Sequence, residues 1–275
     1  MQRTSIIKKF VVYSFLTVGA IISFFPFYWM VISSFKPKED LFIFPPQLVP
    51  LHPTLQNFVY LITQTDIPRN LFNSVFVAVC YTLLSVFLCT LGGYAFAKLI
   101  FPGRHILFMI VVATMTLPFE ITLVPLFKQM TQMQWLNTYH AVILPFAARA
   151  WGIFLMRQAL SDIPSDLLDA ARMDGASEFG IFSRVVVPVS KPAIMALAIL
   201  MFLGSWNDYM WPLIVLGENQ MMTIPVALAV FKSAYYVDYT SLTAGSFLSV
   251  LPMFILFLAA QKYFVQGALF GSVKG

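Results

Sequence analysis

Charged residues are scarce in this sequence. Only 11% of its 275 residues are Asp, Glu, Lys or Arg, whereas a soluble domain carries roughly 25%. Hydrophobic residues make up 59% of the chain. This composition excludes an ordinary soluble domain and indicates a protein built into a lipid bilayer. The length fits one membrane domain over residues 1–275, without a globular domain beside it.

Cysteine and histidine are also scarce, which limits metal and redox sites. The two cysteines, Cys80 and Cys89, share one apolar run, and their spacing places them on opposite faces of an α-helix. His52, His105 and His140 lie far apart, without a second ligand at metal-binding spacing. We therefore predict no disulfide, no metal site and no catalytic residue in this chain.

Six apolar runs are long enough to cross a hydrocarbon core, which takes about 20 helical residues. They cover residues 10–35, 71–97, 105–127, 139–160, 193–216 and 242–264. The first run continues past the length of a signal-peptide core without a small-residue cleavage site, so we expect it to remain as a span. The sequence thus predicts an all-α membrane protein with six transmembrane helices.

Basic residues cluster at the ends of the apolar runs, a distribution that indicates orientation and not nucleic-acid binding. With the N-terminus inside, eleven Lys and Arg residues lie on the cytoplasmic side and five lie outside, with Arg149 inside a span. Because cytoplasmic loops are the richer in Lys and Arg, both termini are predicted to be cytoplasmic.

A long polar region between spans, residues 161–192, holds five of the 12 acidic residues. Apolar residues recur within it at helical spacing. Pro164 is placed to begin a first short helix and Gly175 to end it, while Ser177 is placed to cap a second helix. Two short amphipathic helices with a glycine hinge between membrane spans predict a docking surface for a soluble partner.

Three ionisable residues, Glu120, Arg149 and Asp208, fall within predicted spans. Each costs at least about 2.5–3.5 kcal/mol near the bilayer centre unless it is paired or hydrated. Counted at 1.5 Å per residue, all three fall in one layer somewhat outside the midplane. We predict that Arg149 pairs with Glu120 or Asp208 and lines or braces a translocation path.

The residues around Asp208 allow two interpretations. Trp206, Asn207, Asp208 and Tyr209 offer the aromatic faces, amide and carboxylate that bind sugars, so they are candidates for the same path. Alternatively, they satisfy the backbone at a helix end and anchor the membrane interface. A proton relay through the three ionisable residues would indicate a secondary transporter, but such proteins are usually longer and built from inverted repeats.

The polar region resembles the "EAA…G…LP" cytoplasmic loop of ABC importer permeases, with Asp169 in place of the leading Glu. The matching residues are Asp169-Ala170-Ala171-Arg172-Met173-Asp174-Gly175-Ala176-Ser177, followed by Val187-Pro188. Further segments resemble the maltose-type carbohydrate permeases, closest to their six-span second subunit. They are Ser34-Phe35-Lys36-Pro37, Leu55-Gln56-Asn57-Phe58, Asn73-Ser74, Gly93-Tyr94-Ala95-Phe96-Ala97, Phe101-Pro102-Gly103-Arg104, Trp206-Asn207-Asp208-Tyr209, Trp211-Pro212-Leu213 and the tail from Gly267 to Gly275.

This resemblance implies a permease subunit in the plasma (inner) membrane of a bacterium or archaeon, importing a sugar or oligosaccharide. Its partners would be a second permease, two ATP-binding subunits and an extracytoplasmic sugar-binding protein, which the outer loop 217–240 with Tyr235, Tyr236 and Asp238 would contact. The residues implied to couple to the ATPase are Asp169, Ala170, Ala171, Arg172, Asp174, Gly175, Ala176, Ser177 and Glu178. A permease for glycerol-phosphate or another solute is the alternative.

The chain lacks the sequence G-x-x-x-x-G-K-[ST] that cradles nucleotide phosphates. ATP and magnesium would therefore be bound by the partner ATPase, and this chain is predicted to be neither an enzyme nor a cofactor-binding protein.

Overall fold

A computed structural model describes the backbone of residues 3–232 and 237–270. Side chains are described for residues 8–232, 237–259 and 261. The helices in chain order are α1 (Arg3–Ser34), α2 (Gln56–Gln64), α3 (Ile67–Lys98), α4 (Arg104–Thr114), α5 (Phe119–Gln132), α6 (Tyr139–Ile143), α7 (Ala150–Ser161), α8 (Ser165–Met173), α9 (Glu178–Ile181), α10 (Val187–Val189), α11 (Lys191–Trp206), α12 (Met210–Val215), α13 (Ile224–Val230) and α14 (Tyr239–Phe270). A π-helical turn, Phe182–Val186, joins α9 to α10. The predicted all-α class is confirmed.

Three helices, α1, α3 and α14, have 32 residues each. At 1.5 Å per residue each is about 48 Å long, more than a bilayer core requires. Length and apolar composition mark these three among the described residues as membrane-crossing helices, or up to five spans if two bent helix pairs each count as one. The count of six spans remains a prediction.

Three predicted spans contain breaks in the helix. In 105–127, α4 and α5 meet at a bend of 98°, because Pro118 has no N–H and disfavours helix in the residue before it. In 139–160, residues 144–149, with Pro145, separate α6 from α7. In 193–216, residues 207–209 separate α11 from α12. None of these three runs is a continuous helix.

The internal contacts divide the chain into two units, residues 1–68 with 227–252 and residues 69–226 with 253–275. In the first unit, Asn57 ties the end of α1 to the loop behind it by donating to the carbonyls of Ser34 and Lys36 at 2.9 and 2.8 Å. The Lys36 side chain is 1% exposed, lies over the Trp29 ring and donates to the Gln47 carbonyl at 2.6 Å. Two of the segments that resemble carbohydrate permeases thus meet here.

The second unit, which holds both candidate sites, is built on close helix contacts at glycines. A Cβ at Gly93 of α3 would lie 2.5 Å from the Cβ of Met156 on α7. A Cβ at Gly152 would lie 2.6 Å from the Met201 Cε and 2.8 Å from the Cys89 sulfur. Small residues are what allow helices to approach this closely in a membrane. Cys80 and Cys89 are both free thiols on α3.

Candidate functional sites

The polar region 161–192 folds as its local chemistry predicts. Pro164 precedes α8, and Gly175 ends that helix with a φ of 81°, a left-handed conformation that glycine adopts without strain. The Ser177 hydroxyl caps α9 by accepting a hydrogen bond from the Gly180 N–H at 3.2 Å. We call residues 161–192 the coupling segment from here on.

Arg172 links the two helices of the coupling segment through two carboxylates. Its Nη1 lies 2.7 Å from Asp169 and its Nε lies 2.8 Å from Glu178. The hydrogen bonds that Arg172 and then Tyr94 donate lower the pKa of Glu178 below its usual value. The bonds that Glu178 and Asp169 accept from Arg172 raise the pKa of Arg172. The Asp169 and Glu178 side chains stay 62% and 50% exposed, so the contact of these carboxylates with a partner remains a prediction.

Two side chains of the membrane-spanning helix α3 hold the coupling segment by hydrogen bonds. The hydroxyl of Tyr94, a residue only 2% exposed, donates to Glu178 Oε2 at 2.9 Å. Lys98 donates to the carbonyls of Ser161 and Ile163 at 3.1 and 2.5 Å. The carboxylate that Arg172 holds is therefore also hydrogen-bonded to a membrane-spanning helix.

The outer surface of the coupling segment is partly apolar. Met173 is 88% exposed and Phe179 is 66% exposed, while Leu168 and Ile181 are buried. The remaining predicted coupling residues are exposed except for the half-buried Ala171; they are Ala170, Asp174, Gly175, Ala176 and Ser177. Exposed apolar side chains on an otherwise charged loop are typical of a protein–protein contact.

The three helix breaks converge on one cavity of about 330 Å³ in the second unit. Phe119 follows the α4–α5 break, Phe146 and Arg149 belong to the α6–α7 break, and Asp208 belongs to the α11–α12 break. Irregular backbone at membrane depth is tolerated only where it is buried in protein or lines a cavity. We call this space the break cavity.

Arg149 is the basic residue of the break cavity. Its Nε donates to the Tyr81 hydroxyl at 3.1 Å, and its guanidinium carbon lies 4.5 Å from the centre of the Phe146 ring. Among the described residues, Arg149 forms no ion pair within 4.0 Å. The predicted direct pairing with Glu120 or Asp208 is therefore absent, and the aromatic pair takes its place.

The six predicted path residues separate into two groups. Only Arg149 and Asp208 line the break cavity. Glu120 is exposed in the first turn of α5, and Tyr209 is 41% exposed outside the cavity lining. Trp206 is buried, stacked 5.8 Å from Phe202, and Asn207 donates to the Leu203 carbonyl at 2.9 Å. For Trp206 and Asn207 the geometry favours the structural interpretation of a helix end.

The outer loop is anchored at its base by α3. Asn73, fully buried, donates to the carbonyls of Gln220 and Met222 at 2.8 and 3.0 Å, and Asn70 donates to that of Met222 at 3.0 Å. The Ser74 hydroxyl accepts from the Ile224 N–H at 2.6 Å. Through these bonds the Asn73-Ser74 pair holds the backbone of residues 220–224 against α3.

Farther along the outer loop, Asp238 caps α14. It accepts from the Ser241 N–H at 3.2 Å and from the Ser241 and Thr240 hydroxyls at 2.6 Å. Burial raises the pKa of Asp238, but the hydrogen bonds from Ser241 and Thr240 outweigh it and hold the pKa below its ordinary value. Tyr235 and Tyr236, predicted contacts for a binding protein, lie outside the described residues, as does the end of the tail, 271–275.

Several cavity residues have no signal in the sequence. Tyr81, Phe119, Phe146 and Trp151 look like ordinary members of apolar runs. Trp211 falls in a segment that resembles the carbohydrate permeases, but nothing in its spacing places it against Phe119. Tyr94 likewise falls in a segment that resembles the carbohydrate permeases, but nothing in its spacing places it against Glu178.

Comparison with known proteins places the chain in a family. A family model described as "binding-protein-dependent transport system inner membrane component" matches residues 90–269. The arabinooligosaccharides transport system permease protein AraQ of Halalkalibacterium halodurans is 39% identical over 271 residues, covering 94% of this chain and 96% of that protein. The lactose transport system permease protein LacG of Rhizobium radiobacter is 37% identical, covering 95% of each.

The fold is also found in a solved structure. One chain from the crystal structure of a bacterial ABC transporter involved in the import of the acidic polysaccharide alginate superposes with a TM-score of 0.84 at 24% identity, covering 95% of this chain and 98% of that one. The motifs, the helices and these relatives agree: the chain belongs to the binding-protein-dependent transport system inner membrane components, the multi-pass permease subunits of ABC importers, which transport solute and are not themselves ATPases.

Proposed function

We propose that this permease forms one half of a heterodimeric pore for a sugar or oligosaccharide. The pore is driven by two ATP-binding subunits, one of which docks on the coupling segment. The observation that carries the proposal is the hydrogen bond from Tyr94 to Glu178. It joins an exposed, partly apolar surface to a helix that crosses the membrane, which is what transmitting a movement from a soluble partner requires.

The docking contact is assigned to the apolar side chains and the backbone of the coupling segment. Met173 and Phe179 are exposed on α8 and α9, on either side of Gly175. The clamp of Arg172 on Asp169 and Glu178 keeps the two short helices in one arrangement. The ATPase, which binds ATP and magnesium, would receive this surface in a cleft. Closure of the ATPase on binding nucleotide would then pull on Glu178 and, through Glu178, on α3.

The substrate class follows from the relatives, whose names refer to arabinooligosaccharides and lactose. An extracytoplasmic sugar-binding protein would deliver the substrate to the outer loop 217–240. The translocation path would pass the break cavity at Arg149 and Asp208, with Glu120, Trp206, Asn207 and Tyr209 beside it or bracing its wall. Both termini and the coupling segment would lie in the cytoplasm.

The experiment is a pull-down of the tagged permease from mild detergent, expressed with its second permease and ATPase. In the Gly175→Pro variant the chain cannot adopt the φ of 81° found there, because proline is fixed near −65°. We expect the ATPase to be lost and the second permease to be retained.

Gly103→Pro is the matched control. Gly103 has a φ of 76°, and a Cβ added at either glycine would meet no atom within 4 Å, so both changes forbid a left-handed backbone without a side-chain clash. Gly175→Pro also removes the N–H that donates to the Arg172 carbonyl at 2.9 Å. Retention of the ATPase by the Gly175→Pro variant, or its equal loss from both variants, contradicts the proposed docking site. Uptake of arabinotriose and lactose by the intact transporter tests the substrate class. Stimulation of ATP hydrolysis by liganded binding protein distinguishes an ABC importer from a proton-coupled transporter.

A further inference from the structure

We propose that residues 41–51, which we call the apolar loop, insert into the bilayer at the boundary between headgroups and acyl chains, on the side away from the N-terminal end of α1. The loop has eleven residues, three of them proline, and contains no Asp, Glu, Lys or Arg. The charge-free stretch continues to Thr65. This contact is independent of the transported solute and of the ATPase, because it requires only that α1 and α14 cross the membrane.

The sequence of α1 sets the depth of the membrane boundary. Lys8 and Lys9 precede a stretch, residues 10–35, without Asp, Glu, Lys or Arg. A hydrocarbon core of about 30 Å is crossed by about 20 helical residues. Counted from Phe10, the far boundary therefore falls at Tyr28 and Trp29, which are aromatic residues of the kind that line membrane interfaces.

Two polar contacts hold the apolar loop at this depth. The Tyr28 hydroxyl donates to the Leu48 carbonyl. The Lys36 ammonium, 4.6 Å from the centre of the Trp29 ring, donates to the Gln47 carbonyl at 2.6 Å. Tyr28 lies six residues before the end of α1, about 9 Å along the helix axis. The chain therefore turns back toward the bilayer after it leaves α1.

A second spanning helix marks the same boundary. Tyr239 is the first residue of Tyr239–Ala259, the part of α14 that is long and apolar enough to cross a membrane. The Phe42 ring meets the Tyr239 ring edge-on at 5.1 Å. The apolar loop thus lies against the membrane entry of α14 as well as against the aromatic end of the α1 span.

The side chains that the loop leaves uncovered are apolar. Those more than half exposed are Phe42, Phe44, Leu48, Val49 and Leu51, and Phe44 reaches 90%. The loop lacks the charged residues that the rim of a protein–protein contact carries. Every residue of α1 from 8 to 27 is exposed as well, and a protein neighbour covers one side of such a helix and leaves the other to lipid. The loop continues this lipid-facing surface to the boundary.

The backbone of the loop suits a membrane boundary. An N–H group without a partner is costly next to hydrocarbon, and Pro45, Pro46 and Pro50 have no N–H. The loop is closed at its polar base by His52 Nδ1, 3.3 Å from Asp40 Oδ2. An apolar tip on a polar base is typical of an interfacial segment. Because the loop has no cation, it is suited to the apolar part of the lipid and not to anionic headgroups.

The test introduces a photo-reactive benzophenone side chain into the complete transporter, with p-benzoylphenylalanine replacing Phe44 in one variant and Leu48 in another. The matched control replaces Glu39, an exposed and charged residue just before the loop. The probe is radiolabelled phosphatidylcholine, in proteoliposomes of that lipid alone or mixed with anionic phosphatidylglycerol. Co-purification of the second permease and the ATPase verifies assembly of each variant.

We expect illumination to attach lipid to residues 44 and 48 at least about fivefold more than to residue 39, equally in both kinds of vesicle, because apolar burial and not charge drives the insertion. A second measurement gives the depth directly. A spin label on Phe44→Cys, in a chain that also carries Cys80→Ala and Cys89→Ala, should lie about 5–10 Å inside the headgroup boundary, whereas a label on Glu39→Cys should lie in water.

The competing occupants give different products. Cross-linking of residue 44 to the second permease or to the binding protein, in place of lipid, overturns the inference and identifies a protein interface. Equal attachment of lipid to residues 39 and 44, or attachment that requires phosphatidylglycerol, also overturns it. If the benzophenone variants do not assemble, the spin labels decide, and a label at residue 44 as accessible to a water-soluble nickel complex as one at residue 39 refutes the insertion.

Discussion

Tyr94→Phe is the change that tests most directly whether the coupling segment transmits movement to the membrane-spanning helix α3. The substitution removes one oxygen and leaves the ring, which packs 5.5 Å from Phe182, in place. Glu178 loses the hydrogen bond from α3 and keeps those from Arg172. The docking surface should therefore survive while its attachment to the spanning helix weakens.

The magnitude follows from the environment of the bond. Hydrogen bonds to charged groups contribute about 1.5–3 kcal/mol. The Glu178 side chain is 50% exposed, so water can replace the hydroxyl in part, and the lower end of that range, about 1.5 kcal/mol, is the better expectation. Since about 1.4 kcal/mol corresponds to a factor of ten in an equilibrium, the attached arrangement should lose roughly tenfold in population.

The assay is the ratio of ATP hydrolysed to sugar transported in proteoliposomes that contain the whole transporter. We expect that ratio to rise several-fold in Tyr94→Phe, with ATPase binding unchanged. Tyr139→Phe is the control, because its hydroxyl donates to Asn73 at 2.7 Å in the same unit and not to the coupling segment. If the two variants give the same ratio, Tyr94 does not transmit the movement and the reasoning fails.

Three further predictions concern pH, packing and docking. Because the pKa of Glu178 is lowered in the folded protein, its contribution to holding the coupling segment is present above the ordinary value of 4.5 and is lost as pH falls through the lowered value. The protection of the 161–192 amides against hydrogen exchange, taken relative to the intrinsic exchange rate at each pH, should be constant from about pH 7 to 5 and fall below about 4.5. Gly93→Ala forces a Cβ to within 2.5 Å of Met156 and should cost about 1–3 kcal/mol of stability, seen as a lower melting temperature in detergent. Met173→Ser and Phe179→Ser should each weaken co-purification of the ATPase, since burying such a side chain is worth about 1.5–3 kcal/mol.

Each of these predictions has a control that isolates its cause. Glu178→Gln should remove the acid-dependent change in exchange, and persistence of that change would point to another group. Gly19→Ala should not lower the melting temperature, because an added Cβ there meets nothing within 4 Å and alanine favours the helix. Ile100→Ser is the control for docking, because Ile100 is 97% exposed outside the coupling segment. If Ile100→Ser weakens co-purification of the ATPase as much as Met173→Ser does, the effect does not depend on where the exposed apolar side chain lies.

Local chemistry explains what could be predicted from the sequence. The coupling segment follows rules that act over a few residues: Gly175 ends a helix through its own φ, and Ser177 caps one through a bond three residues on. The membrane class followed from composition alone.

Contacts between distant residues explain what could not be predicted. Tyr94 and Glu178 are 84 residues apart, and Tyr81 and Arg149 are 68 apart, so no periodicity relates them. An ion pair is the obvious way to stabilise Arg149 in a membrane, but an aromatic ring and a phenol serve instead. The break at 144–149 was missed because an apolar run with one proline has the same composition as a continuous span.

The open position at Gly204, in the wall of the break cavity, has a consequence for how such permeases diverge. Nothing in the surrounding structure crowds the residue there, and single nucleotide changes from glycine codons reach alanine, serine and valine, whose side chains are larger or more polar. Each such change alters the volume of the cavity while the helix contacts at Gly93 and Gly152 stay intact. The volume of the break cavity can therefore change by a single substitution at position 204, without compensating changes in the helix packing.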